Sequence, residues 1–169
     1  NDGYYSFSLR DFDMDVATVH FDTDMDVTLA DSIALKGYVA VPGLDVQQFL
    51  DRYAANFYKD AAKLHTDASL AARVEVDGWL DTSNGHLPAF TANVSLPECS
   101  VSHSDYPIVP KLALELGASA PQGGPVDAKV DRLMLRAPGL RADVKGSGAD
   151  VLGKAAAVQA DAKLDACLD

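Results

Sequence analysis

The sequence predicts a mainly β protein: a many-stranded antiparallel sheet with one amphipathic helix. Two observations carry this. From Leu70 to the C-terminus, apolar and polar residues alternate in run after run, with turn residues between the runs. One segment, and only one, changes to helical spacing. Alternation with period two puts every second side chain on one face of a strand. One face of the predicted sheet is therefore apolar across its width, and the other carries Asp, Thr, Ser, Lys and Arg.

The N-terminal third is strand-like with two slips of phase. Tyr5, Phe7 and Leu9 alternate, then Phe12, Met14 and Val16, then Val19, Phe21, Met25, Val27 and Leu29. Each three-residue step marks a bulge or a turn that restores the facing. Ile33, Leu35, Val39 and Val41 form another run, interrupted by Gly37 and ended by Pro42-Gly43. Next comes the helix. Asp45 is placed as an N-cap, with Gln48 at the capping-box position. Val46, Phe49, Leu50, Tyr53, Phe57, Ala61 and Leu64 then follow at helical spacing. This predicts a helix from Asp45 to Leu64, ~30 Å long. It docks as a plug at one end of the sheet through Phe49, Leu50, Tyr53 and Phe57.

The later strands read Leu70, Ala72, Val74, Val76; Phe90, Ala92, Val94, Leu96; Leu112, Leu114, Leu116; Val126, Ala128, Val130; and Val158, Ala160, Ala162, Leu164. Asn84-Gly85, Gln122-Gly123-Gly124-Pro125 and Pro138-Gly139 are turns, and Gly146-Ser147-Gly148 and Gly153 interrupt the last strands. No linker divides residues 1–169, so they form one domain. Ten such strands make a face of ~1,000 Å², of which the helix covers ~300 Å². The remainder is hidden by curling into a sandwich or barrel, by more protein, or by an apolar ligand; the pattern favours curling.

Composition narrows the function. Hydrophobic residues make up 48% of the chain, enough for a core. The net charge of −11 repels phosphate backbones, which argues against nucleic-acid binding. No apolar run reaches the ~20 residues of a membrane span. Asn1 opens directly on polar, strand-like sequence, so a mature chain or an excised piece is expected. Cys99 and Cys167 permit a single pairing. Cys167 alternates with Lys163 and Asp165 on the polar side, which favours two free thiols.

No constellation for catalysis or metal binding stands out. The aspartates at 11, 13, 15, 22, 24 and 26 fail the EF-hand pattern, which needs Gly where Val16 stands and Glu where Asp22 stands. On strands they point to water. His20, His65, His86 and His103 lack metal-ligand spacing. Ser102, His103, Ser104 and Asp105 hold the atoms of a hydrolase triad but lack a nucleophile elbow. Glu75 and Asp77 are a solvated pair on one strand face. Trp79 is a sheet-edge anchor. The expectation is a non-enzymatic protein with no cofactor and no metal.

From Ile33 onward the chain resembles the AsmA-like family of Gram-negative envelope proteins, relatives of TamB and the bridge-like lipid transfer proteins. Four stretches carry the resemblance. Val41-Pro42-Gly43-Leu44-Asp45-Val46, followed by Phe49-Leu50, is similar to the family's strand, turn and short helix. Ala68 to Gly78 is similar to the strand after that helix. Leu87 to Leu96, with Tyr106-Pro107-Ile108-Val109-Pro110 downstream, is similar to the next strand and its crossing. Leu133 to Leu140 and Ala142 to Gly148 are similar to its late strands. The resemblance implies a long curved sheet, half-tubular or taco-like, belonging to a longer protein of the periplasm and cell envelope. That protein would be anchored in the inner membrane and would serve lipid transport or outer-membrane biogenesis. It further implies a hydrophobic groove facing lipid or another apolar ligand, lined by Val94, Leu96, Leu112, Leu114, Leu116, Val130 and Val144. The isolated segment would expose its edges and form a homodimer. The alternative is a structural or adhesive β-sandwich that binds a protein or glycan partner through its loops.

Overall fold

The computed structural model describes residues 4–54, 58–81, 83–153 and 156–166. The strands are β1 (Tyr5–Val16), β2 (Val19–Leu29), β3 (Ile33–Asp45), β4 (Leu64–Thr66), β5 (Ser69–Leu80), β6 (Ala89–His103), β7 (Lys111–Ala120), β8 (Asp127–Ala137), β9 (Leu140–Ala149) and β10 (Ala157–Ala166). All belong to one antiparallel sheet, in the unbroken order β1-β2-β3-β5-β6-β7-β8-β9-β10, with β4 paired to the far end of β6.

The two slips of phase near the N-terminus have distinct causes. Between Leu9 and Phe12 the β1–β2 register shifts, with Asp11 in the left-handed region at φ 45°. Between Val16 and Val19 the chain turns through Ala17-Thr18. Pro138-Gly139 joins β8 to β9 in the same two-residue manner, with Gly139 at φ 72°. Gly146-Ser147-Gly148 does not interrupt a strand. All three residues lie within β9, each paired on both sides.

The helix is shorter than its pattern predicts. Helix α1 spans Val46–Tyr53, ~12 Å at the usual rise. Asp45 caps it as expected, its Oδ1 accepting from the Gln48 N–H at 2.9 Å. Beyond it come a 3-10 turn at Ala61–Lys63 and then β4, so neither Ala61 nor Leu64 is α-helical. The reason is tertiary. Strand β6 runs past the start of β5 and offers a free ladder, which Leu64, His65 and Thr66 take against His103, Ser102 and Val101. Gln47 fastens the returning segment: its Oε1 accepts from the Thr66 N–H at 2.8 Å, and its Nε2 donates to the Leu64 carbonyl at 3.3 Å. Phe49 and Tyr53 stack with ring centroids 5.0 Å apart, and no helix residue is fully buried. Phe57 lies outside the described residues.

The expected curling does not occur: the sheet is neither strongly curled nor closed. A compact chain of this mass exposes about 8,000 Å²; this one exposes 11401 Å². Most apolar side chains are half-buried by their neighbours within the sheet. Among the described residues the one large side chain buried completely is Met134, and it lies on the polar face. There it is directly opposite Ala113 and Asp143, with Arg132 and Arg136 two residues away along its own strand. Arg132 Nη2 donates to its Sδ at 3.5 Å, so the guanidinium lies against the thioether.

Candidate functional site

The pairing register carries the apolar alternation from strand to strand. On one face, Val94 is opposite Leu116, and Leu116 is opposite Val130. In the next row Leu96, Leu114, Leu133 and Val144 follow one another, and beyond it Cys99, Leu112, Leu135 and Ala142. All seven residues expected to line a groove are on this face, and each is half-buried. The same face continues through Val74, Val39 and Phe12 towards β1, and through Ala162 and Leu164 on β10.

Four of the seven, Val94, Leu116, Val130 and Val144, line a depression of about 460 Å³ between β6 and β10. Leu96, Leu112 and Leu114 lie on the same face outside it. The depression exists because small side chains line up across the strands: Ala92, Ala118, Ala128 and Gly148 form one row. Gly146 and Ala160 extend its floor. A Cβ on Gly146 would stand 2.9 Å from the Gln159 carbonyl oxygen, so only glycine lets β10 approach this closely. Sequence reasoning selected the large residues and missed these small ones. Each small residue is visible in the sequence, but the row exists only once the register is known.

The opposite face is a lattice of ion pairs. Arg10 reaches Asp24 at 2.6 Å and Asp26 at 2.5 Å, and Lys36 reaches Asp77 at 3.2 Å. The Ser8 hydroxyl and Arg10 together hold the Asp26 carboxyl below the usual carboxylate range. Arg73 donates to Glu75 at 2.8 Å while its guanidinium sits 3.7 Å from the Tyr38 ring centroid. A depression of about 580 Å³ between Tyr38, Asp77 and Thr91 belongs to this charged surface. At the β5–β6 turn, Asp81 accepts from Ser83 and Asn84, which lowers its pKa to about 2.

The aspartates and histidines singled out by sequence fall into separate surroundings. Asp13, His20 and Asp22 come together near the β1–β2 turn, with ligand atoms within 4.8 Å of one another. His20 already has a carboxylate on each ring nitrogen, Asp15 on Nδ1 and Asp22 on Nε2, both at 2.9 Å. The hydrogen bond to Asp15 is the main cause that raises its pKa. Asp11 occupies the bulge instead of joining the row. The Ser102–Asp105 group does not converge. The Ser102 and Ser104 hydroxyls turn to the carbonyls of His65 and Lys63, Asp105 pairs with Lys63 at 2.7 Å, and His103 Nδ1 accepts from the Asp105 backbone N–H. Trp79 is half-exposed, and its backbone is held at both polar atoms by the Gln122 amide. Cys99 is buried and free, and burial pushes its thiol pKa up. Cys167 lies outside the described residues.

No family model, curated protein or solved structure matches the chain.

Proposed function

We propose that this chain is a non-enzymatic, lipid-handling domain whose apolar sheet face takes up acyl chains. The reading rests on one observation: an apolar face crosses nine strands, no layer of the described residues covers it, and it carries an apolar depression of about 460 Å³. Water-soluble proteins rarely leave more than a few hundred Å² of contiguous apolar surface uncovered unless it binds something. Acyl chains suit this face because it asks for hydrophobic continuity and presents few polar groups. In this reading the chain is an AsmA-like segment of a longer protein with a curved, half-tubular sheet. That protein is anchored in the inner membrane and passes lipid through the periplasm in support of outer-membrane assembly.

The test is a titration with a spin-labelled fatty acid, with native mass spectrometry of the purified protein for co-purified lipid. Wild type immobilises the probe. Leu114→Asp, at the centre of the apolar face, lowers affinity roughly tenfold or more, because a carboxylate among acyl chains loses its solvation. Leu114→Ile keeps binding, and Glu115→Ser and Lys129→Ser on the polar face change nothing. A Leu114→Asp protein that is folded by circular dichroism and binds the probe as wild type does removes the reading.

A further inference from the structure

The two edges of the sheet are built differently, and the difference points to a partner. Edge strands expose unpaired backbone donors and acceptors, and proteins blunt them with bulges, proline, charge or shortness. The β1 edge is blunted: its bulge contains the left-handed Asp11, and Asp13 and Asp15 follow it. The β10 edge is charged as well, through Asp161, Lys163 and Asp165, but it has no bulge. It pairs with β9 through ten consecutive residues without a register shift, and no other described strand lies on its outer side. It contains no proline, and all ten residues are exposed. Val158 and Leu164, at 73% and 69% exposure, extend the apolar face to the rim.

We propose that a second copy of this chain pairs antiparallel along β10, about a twofold axis at Ala162. The register follows from facing and charge. Keeping apolar residues opposite apolar residues requires partners of the same parity. Centring on Ala162 sets Asp161 opposite Lys163 of the second copy, and Lys163 opposite its Asp161. Ala160 meets Leu164, Val158 meets Ala166 and Gln159 meets Asp165, so nine residues of each strand pair. Centring on Asp161 opposes two aspartates. Centring on Lys163 opposes two lysines and sets Asp161 against Asp165. Centring on Ala160 leaves the charges without partners, and centring on Leu164 sets Lys163 opposite Asp165 but leaves Asp161 without a lysine and uses only five residues of β10. Opposite charges directly across a ladder stabilise it and like charges destabilise it. The dimer joins two apolar faces into one continuous sheet, and it forms whether or not that face binds lipid.

The experiment is sedimentation equilibrium of the chain over a wide concentration range. The expected result is a monomer–dimer equilibrium. Asp161→Lys and Lys163→Asp each weaken the dimer roughly tenfold or more, and the double exchange restores it. Asp161 and Lys163 also lie opposite Lys145 and Asp143 of the chain's own β9, so Asp161→Lys is made together with Lys145→Asp and Lys163→Asp together with Asp143→Lys, and circular dichroism verifies the fold of each. In a Cys167→Ser background, Ala162→Cys forms a covalent dimer on mild oxidation. Directly opposed Cα atoms in an antiparallel pair are about 4.5–5.5 Å apart, within reach of a disulfide. Ala160→Cys, which faces Leu164, does not. A monomer at every concentration overturns the proposal and leaves β10 for a strand of another polypeptide. A dimer indifferent to the two single exchanges, or cross-linking equally well through position 160, also overturns it.

Discussion

Strands β1–β2 and strands β7–β9 obey the same alternation yet build different surfaces. On the apolar face of β1–β2 the positions are large, Tyr5 against Leu29, Phe7 against Val27, Leu9 against Met25 and Met14 against Phe21, with Thr23 opposite Phe12 the one polar exception. On β7–β9 large and small rows succeed one another, and the row Ala118, Ala128, Gly148 sinks below Leu114 and Leu133. The first region is a plateau and the second a groove. The polar faces differ as well. On β1–β2, Asp13, Asp15, Asp22, Asp24 and Asp26 surround Arg10 and His20. On β8–β9 two cations pair with an acid two residues away, Lys129 with Asp131 and Arg141 with Asp143, and Arg136 reaches Glu98 on β6. Binary pattern decides which face a residue occupies; side-chain volume and register decide what that face does.

The strongest test of this comparison is Gly37→Val. Gly37 lies on β3 between the two regions, at φ 143°, and an added Cβ would stand 1.9 Å from the Asp24 carbonyl oxygen. The expected cost is about 3 kcal/mol in urea denaturation, from strain and overlap together. Hydrogen exchange then accelerates in β1–β3 while β7–β9 stays protected. Equal acceleration in both would show one cooperative unit and erase the distinction in stability.

Next in size is the filling of the groove. Ala128→Phe occupies the depression and lowers affinity for a spin-labelled fatty acid roughly tenfold, on the scale of a lost apolar contact surface. Val27→Phe, an enlargement on the plateau, leaves affinity within roughly twofold. If the plateau change weakens binding as much, the groove is not the seat of the interaction.

A smaller effect separates the polar faces by pH. Both nitrogens of His20 meet carboxylates, and its pKa is raised above the ordinary 6.5. A raised folded pKa means that the contribution is complete below the unfolded value and is lost as pH rises through the folded one. Exchange protection at the β1–β2 turn should fall across that window, while β8–β9 holds. The His20 ring should titrate above an unfolded histidine in a nuclear magnetic resonance series; a value at or below the ordinary one refutes the double pairing. Smallest of all, Lys129→Ser should change stability by less than about 0.5 kcal/mol, as an exposed ion pair does.

Much of the architecture was legible in the residues. Val94, Leu116 and Val130 share a face because period two leaves no alternative. The Phe12 and Val19 slips located the β1 bulge and the first turn, and Asp45 with Gln48 located the start of the helix. Its end was not legible. Ala61 and Leu64 continue the helical period, but β6 offered their segment backbone partners that a local pattern does not reveal. The burial of Met134 was equally hidden: Leu133 and Leu135 set the phase, so Met134 belongs to the polar face, and its cover comes from side chains gathered around it by register.

By itself, then, the sequence determined the class, the strands and the facing of almost every side chain, because these depend on local periodicity and turn chemistry. Tertiary structure alone decided that the described residues leave the apolar face open, that a row of alanines and glycines becomes a groove, and that the β1 rim is bulged while β10 is not. Those properties belong to pairs of strands distant in the chain. Their energies are set by which residues the register places side by side, and that is a relation between segments rather than a property of any one of them.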